Sequence, residues 1–204
     1  MQAYKLQVKI FAVPSTGPTP SLETFIPVLH RWIKDHVLRE LMIDVANYAH
    51  VPDGPGVVLI GHGSDTFIDE TGGRRGVMHS RKREAPAPEE RLGDAFRRAL
   101  HAAMLLETEP ALAGTVRFSP NEFLFRINDR LLAPNTDQTF AAVKAELDTL
   151  AARMFEGPYE LGRVGDAKSL FSVKLVSPAP STLATLLSRL GGPPAASQAA
   201  PVPK

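Results

Sequence analysis

The sequence predicts an α+β fold, with a mixed, largely antiparallel sheet and three main helices. Three observations carry that prediction. Residues 4–11, YKLQVKIF, alternate apolar and polar side chains, as a half-buried antiparallel strand does. Phe25, Val28, Leu29, Trp32, Ile33 and Val37 recur at i, i+3, i+4 and i+7 spacing, which marks an amphipathic helix. The order strand, Pro-rich loop, helix, strand, strand starts at residue 4 and again at about residue 122, which allows two related βαββ modules.

Each element has its own local reason. Residues 13–20, VPSTGPTP, are a loop, because three prolines and a glycine forbid regular pairing. The helix that follows runs to about Val37, capped by Ser21 or, if Pro27 belongs to its first turn, by Thr24. Segments 41–48 (LMIDVANY) and 56–62 (GVVLIGH) read as two buried strands joined by the tight turn AHVPDGP. A polar hairpin at 65–69 and 75–82 closes on the Thr-Gly-Gly at 71–73. A spacer, EAPAPEE, leads into a helix at 90–107. Leu92, Phe96, Ala99, Leu100 and Ala103 form its inner stripe, and Arg97, Arg98 and His101 face solvent.

The second half begins with alternation at 116–128, placing Phe123, Phe125 and Ile127 on one face. A third helix at 137–155 offers Phe140, Val143, Leu147, Leu150 and Met154, and strands at 159–164 and 171–176 finish the core. The start Pro20-x3-Thr24-Phe25-x2-Val28 echoes Pro134-x4-Thr139-Phe140-x2-Val143. The expected organisation is one domain over 1–176, with halves 1–83 and 116–176 joined by the helix 90–107. A flexible Pro/Ala-rich tail, 177–204, carries a short amphipathic helix at 182–190.

Taken together, FIPVLHRWI, LMIDVANYAHVPDGPGVVLIGH, SRKR and NDRLLAPNT resemble the combination found in a family of uncharacterised bacterial proteins, over about residues 4–176. The resemblance implies no activity and carries over no functional residue.

Composition narrows the function. A net charge of +1 argues against a dedicated nucleic-acid or membrane-surface protein. The absence of cysteine excludes disulfides, thiolate metal sites and a cysteine nucleophile. The alternating start MQAYKLQVKIF is no signal peptide, and no apolar run approaches the roughly 20 residues that span a bilayer. The expectation is therefore a cytoplasmic protein without a cofactor.

Five motifs invite a functional reading. His62 with Asp65 or His79 supplies imidazole and carboxylate, which suit zinc, manganese or iron, although no HExxH-like spacing is present. The bland alternative is a strand-end histidine bonded to backbone. Gly61-His62-Gly63-Ser64 is not the GxSxG of an esterase elbow, and VPDGPG matches no phosphate loop. Arg74, Arg75, Arg81, Lys82 and Arg83 place five cations in ten residues, able to hold a phosphate or an acidic partner or simply to solvate a hairpin. In the tail, Leu183, Leu186, Leu187 and Leu190 fall on one helical stripe. They read as a motif for docking on a protein partner or a second copy, or for packing on the chain's own domain. The leading expectation is a non-catalytic interaction or assembly module with a C-terminal docking peptide. The alternative is a metal- or small-molecule-binding enzyme with its site near His62, Asp65 and His79.

Overall fold

The structure, a computed structural model, describes residues 1–14, 17–112 and 114–194. It contains β1 (Leu6–Ala12), α1 (Phe25–Lys34), β2 (Met42–Tyr48), β3 (Gly56–Gly61), β4 (Ser64–Asp69) and β5 (Gly76–Arg81). The chain continues with α2 (Arg91–Glu107), β6 (Phe118–Ile127), α3 (Asp137–Met154), β7 (Glu160–Val164), β8 (Phe171–Val176) and α4 (Leu183–Arg189). The strands make one sheet in the order β2-β3-β4-β5-β1-β6-β8-β7, antiparallel in every pairing. The α+β class predicted from sequence is the fold observed. No helix among the described residues is long and apolar enough to cross a membrane.

The order is symmetric about the central β1–β6 pair once the β4–β5 hairpin, inserted between β3 and β1, is set aside. The helix starts are less alike than the sequence echo implies. Thr136 caps α3 by accepting a hydrogen bond from Thr139 N at 3.2 Å, whereas Thr24 before α1 makes no side-chain cap.

Alternation in β1, β6 and β8 sends Leu6, Val8, Ile10, Phe123, Phe125, Ile127, Phe171, Val173 and Leu175 into one core, which residues of all four helices join. Phe96 of α2 sits 5.8 Å from Phe123 and 6.4 Å from Phe125, ring centre to ring centre. On the other face of β1, Lys9 is 1% exposed. Its ammonium donates to the Asp69 carboxylate and, at 2.6 Å, to Arg74 O. Its stem lies over Gly76, where a Cβ would come within 2.8 Å of Lys9 Cε. That glycine lets the lysine reach across the strand and fix the turn that carries Arg74.

Three expectations are corrected. β2 is an edge strand paired only with β3, not a buried strand: Ile43 is 58% exposed. α1 stops at Lys34 instead of running to Val37, and His36 beyond it is exposed at φ 50. The largest correction concerns the tail. Leu183, Leu186, Leu187 and Leu190 are all buried in the chain's own core, with α4 against α2, α3 and β6. The approach to α4 is pinned as well. Asn121 Nδ2 donates to Ser177 O and Ala179 O, both at 2.7 Å, and Arg153 Nε donates to Arg189 O at 2.7 Å. These leucines therefore complete the fold and are not free to dock on a partner. Residues 195–204 of the expected tail lie outside the described residues.

Candidate functional site

The hairpin β4–β5 distributes the chemically interesting side chains to three places. Register pairs Thr66 with His79 and Ser64 with Arg81, while Val8, a core residue, also faces His79. Ser64, Thr66, His79 and Arg81 therefore point toward the helices. Asp65, one residue out of step, points the other way. There it accepts from Lys82 Nζ at 2.7 Å and from Gly61 N at 3.2 Å. His62 lies past the end of β3, half-exposed, with its Nε2 3.0 Å from Glu84 Oε1. The expected metal set of His62, Asp65 and His79 is thus not assembled, because strand alternation and register separate its members. Among the described residues no group of three or more His, Asp or Glu side chains is placed to hold a metal ion.

The five cations do not form one patch either. Arg74 and Arg75 precede β5, whereas Arg81 ends it and Lys82 and Arg83 follow at the opposite end. Arg81 is buried, with Nη1 donating to Glu40 Oε1 at 2.7 Å and Nη2 to Asp94 Oδ2 at 3.0 Å. Arg98, expected in solvent, completes a closed square: Nη1 donates to Glu40 Oε2 at 3.2 Å and Nε to Asp94 Oδ2 at 2.9 Å. Two guanidinium groups thus meet two carboxylates, so burial leaves no charge uncompensated. The glycines of GHGS make this possible. A Cβ on Gly63 would stand 2.5 Å from Glu40 Oε1, and one on Gly61 would stand 3.0 Å from Met42 Sδ. Ser64 is 1% exposed, and its hydroxyl donates to Glu40 Oε2 at 2.5 Å. It is a member of this network rather than a nucleophile.

Beside the square lies a cavity of about 20 Å³ bordered by Ser64, Thr66, His79, His101 and Pro194. That is room for one water molecule. His79 Nε2 is buried, with no hydrogen-bond partner among the described residues. Desolvation, followed by the positive charges of Arg81 and Arg98, holds the His79 pKa well below the usual imidazole range.

The other end of β5 is open. Backbone pairing zips two arginines to consecutive residues at the end of β1: Ala12 N donates to Arg75 O and Val13 N to Arg117 O, both at 2.9 Å. The result is a hollow of about 360 Å³ whose lining includes Arg74, Arg75 and Arg117 and, among the described residues, no acidic residue. Arg74 is held in place. Its Nη1 and Nη2 donate to the two Glu122 oxygens at 2.7 and 2.9 Å, and its guanidinium lies 4.0 Å from the Phe11 ring centre. Those hydrogen bonds, more than the burial that opposes them, bring the Glu122 pKa down to about 2. Lys174 Nζ shares the same carboxylate at 2.9 Å. Arg117 is the loosest of the three. Its side chain is 61% exposed and 3.9 Å from Glu107, whose other oxygen accepts from Phe118 N at 2.7 Å. Arg74, Arg75, Arg117 and Lys174 thus face Glu70, Glu107 and Glu122, four cations to three anions.

A second hollow of about 430 Å³ adjoins the first and shares Thr19, Gly73 and Arg75 with it. Its walls come from the VPDGPG turn and the turn between β4 and β5. Asp53, at φ 54, joins the two turns by accepting from Gly72 N at 2.7 Å. Gly56, at φ 69, runs so close to β4 that a Cβ would stand 2.0 Å from Ile68 O, which only glycine escapes. Sequence reading finds Arg74 and Arg75 but misses Arg117, which sits in an unremarkable stretch and joins the site only through the β1–β6 region.

The fold and groove define a single-sheet α+β protein with a polar, two-chambered groove at one sheet end. No family model, no curated protein and no solved structure matches the chain.

Proposed function

We propose that this chain is a non-catalytic, cytoplasmic interaction module that binds an acidic segment of a protein partner in the groove beside Arg74, Arg75 and Arg117. The observation that carries the reading is the lining of the 360 Å³ hollow, which among the described residues includes three guanidinium groups and no carboxylate. Guanidinium groups bind carboxylates through paired, charge-assisted hydrogen bonds, and Arg74 is already held by Phe11 and Glu122 in a fixed pose. Arg117 supplies the donors that its distant Glu107 leaves unused. Among the described residues that line the two hollows there is no serine, cysteine or histidine, which favours binding over turnover as their chemistry.

The test is fluorescence anisotropy of a labelled hexaglutamate peptide against wild type and Arg117→Glu. Wild type should bind at low salt and weaken as salt rises, because surface charges are screened beyond roughly 8 Å at physiological ionic strength. Arg117→Glu should abolish binding while shifting stability by no more than about 0.5 kcal/mol, as surface substitutions do. Absence of binding at low salt, or equal binding by the two proteins, would overturn the proposal.

A further inference from the structure

The second hollow has the opposite electrostatic character from the first. We infer that it takes a cationic side chain of the same partner, so that the groove reads a dipolar peptide segment, with an acidic residue followed or preceded at short range by lysine or arginine. The inference rests on the acidic-partner reading above and adds the partner's second charge.

The chambers touch at Arg75, which lines both and divides them by charge. The second chamber is lined also by Asp53 and Glu70, with Tyr48 and Val51 as exposed walls. Glu70 gives Oε1 to Arg75, whose Nε donates at 2.7 Å. Asp53 uses Oδ1 on Gly72 N, and no partner among the described residues reaches Oδ2. An arriving ammonium therefore meets two carboxylates against one guanidinium, with the Tyr48 ring, 42% exposed, as a face for cation–π contact. A purely acidic segment long enough to enter this chamber would meet the same carboxylates as repulsion. Like charge placed against the wrong partner is how such surfaces discriminate. Asp53 holds its position through a turn that asparagine also tolerates, since Asn adopts the left-handed backbone readily and its Oδ1 still accepts from Gly72 N.

Three labelled peptides separate the possibilities: a dipolar one (Glu-Glu-Gly-Gly-Lys-Lys), an acidic one with both lysines replaced by glutamine, and a basic one with both glutamates replaced. Each is titrated against wild type, Asp53→Asn and Arg117→Glu at low salt, with thermal unfolding confirming that each variant folds. Wild type should prefer the dipolar over the acidic peptide by about threefold or more, the size of one favourable exposed charge pair. Asp53→Asn should erase that preference while leaving the acidic peptide bound as before, and Arg117→Glu should weaken both. Equal binding of dipolar and acidic peptides, or a preference that survives Asp53→Asn, would overturn this inference and leave the acidic-partner reading standing. Binding of the basic peptide alone, or of none, would overturn both.

Discussion

Leu186→Ala is the sharpest probe of whether α4 belongs to this protein's own core. Leu186 is 0% exposed and packs with Leu183, Leu187 and Leu190 in the cluster that also holds α2 and α3 residues. Removing a fully buried leucine forfeits its transfer energy and leaves a cavity, which together cost about 2–5 kcal/mol. For a chain of this length each kcal/mol moves the melting temperature by about 2–4 °C, so a fall of roughly 4–20 °C is expected. Leu131, at 99% exposure, is the internal control, because its loss exposes nothing and should change stability by about 0.5 kcal/mol at most. Urea unfolding followed by far-UV circular dichroism and by the fluorescence of the one tryptophan, the buried Trp32, reports both variants. If Leu186→Ala and Leu131→Ala behave alike, α4 does not pack as described, and its leucines would again be available to a partner.

Two further predictions concern the buried polar square. The folded pKa of His79 lies well below 6.5 because of desolvation and the cations Arg81 and Arg98, so the unfolded chain takes up a proton before the folded one does. Stability should therefore be full above about pH 6.5 and fall as pH drops below it, by up to about 1.4 kcal/mol per pH unit. His79→Gln should flatten that slope in denaturant titrations, leaving the smaller contribution of His101, whose pKa is lowered for the same first cause; an unchanged slope would refute the assignment. Arg81→Met leaves Glu40 with Arg98 as its one guanidinium partner and Asp94 with Arg98 and, at 3.9 Å, Arg97, and should cost about 3–5 kcal/mol in urea unfolding. A loss under about 1 kcal/mol would show that the square is solvated.

Much of the sheet was legible because alternation is a local signal. Leu6, Val8 and Ile10, then Phe123, Phe125 and Ile127, point inward as their period demands. Other features depended on information that periodicity does not hold. The stripe Leu183, Leu186, Leu187, Leu190 reports that one helix face must be covered but not what covers it. MIDVANY is apolar enough for a central strand, yet pairing leaves it at the edge. Arg98 reads as solvent-facing because Glu40 and Arg81, which close the square around its i,i+4 partner Asp94, reach α2 only through the tertiary fold. His62 with Asp65 or His79 reads as one candidate site in the sequence, but register sets Asp65 and His79 on opposite faces. The groove was half visible: Arg74 and Arg75 announce themselves as a dipeptide, whereas Arg117 arrives through the hydrogen bond from Val13 N to its carbonyl.

In the proposed complex an acidic segment lies between the end of β1 and the turn before β5. Backbone-amide chemical-shift mapping of isotope-labelled protein, titrated with the hexaglutamate peptide, tests it most directly. The predicted result is a saturable set of shifts confined to Ala12 and Val13, Gly73 to Arg75, and Thr115 to Phe118, the residues that line or hold the arginine hollow. Shifts centred instead on the β2 edge at Ile43, on the exposed Leu131 loop, or spread without saturation over the surface would contradict it.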